Sequence, residues 1–128
     1  MTDSSYDDAM RTRREVLGDA HVDKALADGD DFTRSFQDLV TRYAWGDVWS
    51  RPGLDRRTRS CMTLAILVAL RAHSEIPLHV RAAMRNGVTV DEISEVFLHT
   101  AVYAGMPAAN AAFAIASSVF DDDDDSTP

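Results

Sequence analysis

Thr89 and Glu92 stand three residues apart just beyond Asn86-Gly87, and this spacing constrains the fold more than any other feature of the chain. A threonine hydroxyl there accepts from the third N–H of a helix, while the glutamate reaches back to the threonine N–H. Together they satisfy two of the donors that a helix leaves open at its start. Asn-Gly upstream supplies the left-handed backbone that closes a preceding helix. Gly105-Met106-Pro107 breaks the following one, and Pro107 suits the first turn of another, where its missing N–H would have no partner anyway. Three consecutive helices are expected. The first opens at Ser74-Glu75 with Pro77 in its first turn, the second covers Val90–Ala104, and the third runs from Pro107 to about Phe120.

The rest of the chain reads the same way. Tyr6 to Leu17 is a charged, weakly apolar helix stopped at Gly18, and His21 to Ala27 adds a short turn before the loop Asp28-Gly29-Asp30-Asp31. Asp31 is placed to cap a helix carrying Phe32, Phe36, Leu39, Val40 and Tyr43, an apolar stripe at helical spacing that runs out near Trp45-Gly46-Asp47. A connector follows, turning at Pro52-Gly53. Asp55 can cap the next helix, which passes through Thr63, Leu67 and Leu70. From Met62 onward it is apolar almost all round, which implies burial at the centre of the domain or in a subunit interface. No segment alternates with a period of two, and no hairpin turn joins β-rich runs. The expected fold is all-α, a compact bundle of about six helices, with one domain over residues 1–120 and a disordered acidic tail over 121–128.

Composition narrows the partners. The 128 residues suit one domain, and no apolar run reaches the roughly 18 residues of a membrane helix. The N-terminus is acidic and lacks a charged-then-apolar signal pattern, so a cytoplasmic location is expected. Net charge is −8, and the five aspartates of 121–125 account for all but −3 of it. A chain without a basic surface is a poor partner for nucleic acid, which needs its phosphates neutralised. Positive charge is almost all arginine, with Lys24 the single lysine. Arginine grips planar carboxylates with paired hydrogen bonds, so an organic acid ligand is compatible, although compositional bias of the genome explains the same excess. Cys61 is the one cysteine, which rules out an intrachain disulfide, a CxxC redox pair and a thiolate metal cage.

Two histidines are the candidates for chemistry. His79 sits at the edge of an apolar stripe formed by Ile76, Val80, Ala83 and Met84, with Ala82 and Ala83 leaving room beside its ring. Glu75, one turn earlier, is in reach to favour the charged imidazole. His99 lies beside the stripe of Ile93, Val96, Phe97, Thr100, Ala101 and Ala104, with Glu95 one turn before and Tyr103 one turn after. Spacing alone leaves two readings of each open: a histidine satisfied by a neighbouring glutamate, or an acid/base group beside a ligand. A metal site has little support, because no HxxxH or HExxH pair occurs on one helix. Trp45 and Trp49 offer flat apolar surface that serves packing as readily as binding, and Arg51 beside them is a carboxylate donor. Arg59, nearest the long apolar run, is costly to bury without an anion.

These residues fall within longer stretches, Arg13 to Asp23, Thr41 to Leu54, Arg57 to Ser60, Leu78 to Ile93 and His99 to Phe113, that together resemble the carboxymuconolactone decarboxylase family. The resemblance covers most of the chain in order, leaving out the ends. It implies the all-α alkylhydroperoxidase D-like fold, a homo-oligomer (trimer or hexamer), no cofactor, and a dicarboxylic butenolide as small-molecule substrate. The implied reaction is loss of CO2 from 4-carboxymuconolactone to give 3-oxoadipate enol-lactone in protocatechuate catabolism. His79 and His99 are then the catalytic pair, one the general acid and the other the oxyanion donor. Arg59 and Arg51 are the carboxylate ligands, and Trp45 a dry wall. Thiol peroxidases of the wider superfamily carry a CxxC where this chain has Ala72 and Glu75, so dithiol chemistry is excluded. Two other readings compete: a non-catalytic ligand-binding or scaffold protein of the same fold, and a decarboxylase or isomerase of a related lactone.

Overall fold

The computed structural model describes residues 4–125. Among them the chain forms seven α-helices and no strand. It divides after Arg56 into two compact units.

The first unit comprises α1 (Ser4–Leu17), α2 (Asp19–Asp28) and α3 (Arg34–Leu39), the last continuing without a break into a π-helix over Val40–Trp49. Gly18, at φ +91°, separates α1 from α2, a conformation that costs glycine nothing. The segment expected as a short turn at His21–Ala27 is thus a full helix. The capping expectation at Asp31 shifts as well: Asp30 makes the turn, its carboxylate accepting from the Thr33 N–H at 3.0 Å, while Asp31 pairs with Arg34 at 2.6 Å. The helix does not end near Gly46. Wider π turns carry it three residues further, to Trp49.

The expected apolar stripe of this element faces outward. Phe32 is 93% exposed, and Phe36, Leu39 and Tyr43 are each more than half exposed. Thr41 and Trp45 occupy the buried side instead. Periodicity identified an apolar face, but not what covers it.

α1 packs along the π-helix, and they approach closely at Gly46: a β-carbon there would stand 3.0 Å from that of Ala9. Gly46→Ala is expected to cost about 1–3 kcal/mol by overpacking. In urea titrations the double variant with Ala9→Gly should lose less than the two single losses added together. Simple additivity would place the strain elsewhere.

The second unit holds α4 (Arg56–Ala69, counted from Arg57), a 3-10 turn (His73–Glu75), α5 (Ile76–Arg85), α6 (Val90–Ala104) and α7 (Met106–Asp125). α6 has the expected limits because both capping-box bonds form: the Glu92 N–H donates to Thr89 Oγ1, and the Thr89 N–H donates to Glu92 Oε1. Gly87, at φ +93°, follows the last turn of α5, and Gly105, at φ +103°, parts α6 from α7. α7 runs to Asp125, past its expected end near Phe120, so residues 121–125 are helical; residues 126–128 of the expected tail lie outside the described chain.

The core of this unit gathers Leu64 and Val68 from α4, Ile76 and Val80 from α5, and Ile93 and Phe97 from α6 against small faces of α7. α4 is not buried all round: Met62, Ile66 and Leu70 form an open side opposite Leu64 and Val68. Met84, expected inside, is 39% exposed, and Ala82 takes its place in the core. No helix among the described residues is long and apolar enough to cross a membrane.

Candidate active site

His99 and Tyr103, one turn apart on α6, present their rings together at 5.4 Å between centroids, tilted by 40°. Tyr103, and not Glu95, is the residue against the imidazole. Both rings line a cavity of about 270 Å³ whose other walls are Thr100 and Ala104 of α6 and Ala65, Ile66 and Ala69 of α4. That volume is near the lower bound, roughly 300 Å³, of small-ligand sites. Ala65 and Ala69 lie one turn apart on α4, and their small side chains leave the space into which the imidazole opens. An imidazole and a phenol beside an apolar wall can donate a proton to a bound molecule or accept one from it.

The structure brings neither His79 nor Arg59 to the walls of this cavity. His79 is half-buried on α5, a helix whose buried residues are Ile76, Val80, Ala82 and Ala83. Arg59 is half-buried in the second turn of α4, where its carbonyl accepts from Thr63 Oγ1 at 2.8 Å. The adjacent Ser60 is buried and accepts from Asn86 Nδ2 at 2.9 Å, which ties the end of α5 to α4. Neighbouring Arg57 forms an ion pair with Glu92. Among the described residues, no three His, Cys, Asp or Glu side chains gather as metal ligands would.

Trp45 and Arg51 belong to the first unit. Trp45 is buried, with the Trp49 ring 5.0 Å away and tilted by 35°. Arg51 is exposed just past the π-helix, its N–H donating to the Val48 carbonyl at 3.1 Å.

Sequence reasoning placed Tyr103 within reach of His99 but gave it no role. It missed the α4 wall altogether. The one available signal was the pair Ala65 and Ala69 within an otherwise bulky helix, and its meaning depends on which helix packs opposite.

A helical chain with a histidine and a tyrosine over a small apolar cavity is the setting in which the comparisons with known proteins fall. The carboxymuconolactone decarboxylase family model matches residues 34–118, and the chain belongs to that family. It is 50% identical over 117 residues to a 4-carboxymuconolactone decarboxylase of Acinetobacter baylyi, covering 91% of this chain and 87% of that protein. It is also 44% identical over 117 residues to a nitrosuccinic acid decarboxylase of Metarhizium robertsii, covering 91% of this chain and 82% of that one. A 4-carboxymuconolactone decarboxylase of Pseudomonas putida matches at 55% over 42 residues, which is 33% of this chain and 88% of that sequence.

Proposed function

We propose that this chain catalyses the cofactor-free loss of CO2 from 4-carboxymuconolactone, yielding 3-oxoadipate enol-lactone in protocatechuate catabolism. The observation that carries the reading is half-identity along nearly the whole chain with a decarboxylase of that substrate.

The chemistry asks little of the protein beyond charge placement. The bond between the ring carbon and its carboxylate breaks, and its electron pair passes through the ring alkene into the lactone carbonyl. CO2 leaves, and the ring becomes a dienolate with its charge on oxygen. A proton then adds to the ring carbon next to that carbonyl, so each turnover consumes one proton. The substrate is its own electron sink, the part a cofactor plays in other decarboxylases. The protein's work is to stabilise the oxyanion and deliver the proton.

His99 and His79 take these two roles, with Arg59 and Arg51 binding the carboxylates and Trp45 excluding water. The apolar lining at His99 supports the reading, because apolar side chains against a bound carboxylate raise its energy relative to CO2. The enzyme works in the cytoplasm as a homo-oligomer, a trimer or hexamer. The exposure of Ile66 on α4, of Leu70 just past its end and of Val102 on α6 supports assembly, since exposed apolar surface serves interaction.

A second reading is favoured by the relative that acts on nitrosuccinic acid. A nitro group beside a departing carboxylate is also an electron sink carried by the substrate, so the same site suits it. Both acids should be offered at equal concentration to chelator-treated protein. The lactone is expected to be consumed at least tenfold faster, and preference for nitrosuccinate would transfer the assignment. Consumption of neither would favour a scaffold or an enzyme of another lactone.

A further inference from the structure

Arg13 is 4% exposed, yet no carboxylate pairs with it among the described residues. A buried, unneutralised guanidinium is costly, and only hydrogen bonds offset the loss of water. Its Nη1 donates to Thr41 Oγ1 at 3.0 Å and its Nη2 to Gln37 Oε1 at 2.9 Å, while Nε is buried without a partner. Burial lowers its pKa, an effect Tyr6 opposes and Arg14 reinforces. Arginine stays charged regardless, and charged donors make the stronger bonds.

The position of those acceptors is informative. Gln37 lies on the α-helical side and Thr41 on the π-helical side of the junction at Leu39-Val40. The planar fork of Arg13 therefore spans the point where one hydrogen-bonding register gives way to the other, and Thr41 Oγ1 closes the group by donating to the Gln37 carbonyl at 2.9 Å. The adjacent residue, Thr12, reaches the other end: its Oγ1 is 3.0 Å from Ser50 Oγ, which donates to the Trp45 carbonyl at 2.7 Å. That carbonyl belongs to the last π turn of the segment, so the Ser50 hydroxyl ties Thr12 to its C-terminal end.

We propose that Thr12 and Arg13 clamp the segment Val40–Trp49 in its π register, and that Arg13 is thereby a positioning residue for Trp45 and Arg51. π-Helical stretches of this length are uncommon, and the tighter α-helix is the default for a free segment. Each π turn takes up about one residue more than an α turn, so two turns accumulate roughly half a rotation. Relaxation to α geometry would swing Trp49 and Arg51 far round the helix axis. The positioning half of this inference rests on the decarboxylase reading, in which Arg51 and Trp45 serve the substrate. The clamp itself does not.

Both tryptophans of the chain lie in the clamped segment, so tryptophan emission reports on it alone. Purified full-length Arg13→Met, Thr41→Val and Thr41→Ser are compared with the parent protein for emission maximum, acrylamide quenching and lactone turnover. Thr41→Val keeps the shape and loses the acceptor, whereas Thr41→Ser keeps the acceptor and loses the methyl. Should Arg13→Met fail to fold, the Thr41 pair carries the same readout. Arg13→Met and Thr41→Val are expected to shift emission to the red, to be quenched at least twice as readily, and to raise KM about tenfold with kcat within threefold. Thr41→Ser is expected to match the parent. Unchanged emission in Thr41→Val, or equal damage in Thr41→Ser, would overturn the clamp in favour of simple packing. A red shift with unchanged KM would overturn the positioning role. An inactive parent protein would remove the decarboxylase reading and the positioning role with it, while emission would still decide the clamp.

Discussion

Alanine at His99 is expected to slow decarboxylation by about 10²- to 10⁴-fold, the usual worth of a positioned acid/base group, with the helical fold intact. The side chain is exposed and, among the described residues, its ring contact is Tyr103, so its removal disturbs little packing. Surface changes of this kind stay within about 0.5 kcal/mol of the parent stability. The fall in rate is therefore separable from a fall in folded protein. His79→Ala is expected to lose activity over the same range, since the reaction needs both a proton donor and an oxyanion partner. His79 does not line the cavity at His99, so the two variants test different claims. Near-normal turnover of His99→Ala would make that cavity incidental. Near-normal turnover of His79→Ala would make His79 a structural residue of α5. Circular dichroism and thermal melts beside the CO2 assay distinguish these outcomes from unfolding.

The largest expected loss of stability is at Phe97, which is fully buried at the middle of the second unit's core. Its ring meets Phe113 edge-on, with centroids 5.3 Å apart and planes at 89°. Phe97→Ala removes the apolar burial, the aromatic pair and the contacts with Leu64, Ile93 and their neighbours at one stroke. The expected cost is about 3–5 kcal/mol, against a total stability of about 5–15 kcal/mol for a domain of ordinary size. Phe97→Leu, which keeps most of the volume, should cost less than half as much. Urea titration followed by far-ultraviolet circular dichroism measures both. A loss below about 1 kcal/mol for the alanine variant would mean that the core is centred elsewhere.

How legible all this was in the sequence depended on whether the controlling interaction was local. α6 could be delimited to the residue because Thr89 and Glu92 satisfy each other within one turn, and nothing distant is involved. The same holds for the Asn86-Gly87 stop and the break at Gly105. The π-helix was out of reach for the opposite reason. Its register depends on Arg13 and Thr12, roughly three dozen residues before the segment ends, and no local pattern announces a partner at that distance. The stripe Phe32–Phe36–Leu39–Tyr43 is legible as apolar while its exposure is not, because periodicity describes one helix and burial is a property of two surfaces.

The candidate site divides along the same line. His99 and Tyr103 are neighbours by helical arithmetic, so their ring contact could be anticipated. The wall of Ala65, Ile66 and Ala69 could not, because it requires knowing that α4 packs beside α6. The functional reading came from a third source, the ordered match of long segments to one family, and the comparisons bear that family out.

The most direct test of the central claim is to run the reaction in D2O on freshly generated 4-carboxymuconolactone. CO2 is followed by infrared absorption and the product by mass spectrometry. One CO2 per enol-lactone formed is expected, with a single deuterium on the ring carbon next to the lactone carbonyl. Absence of CO2 from folded protein, or an enol-lactone formed without solvent deuterium, would contradict that claim.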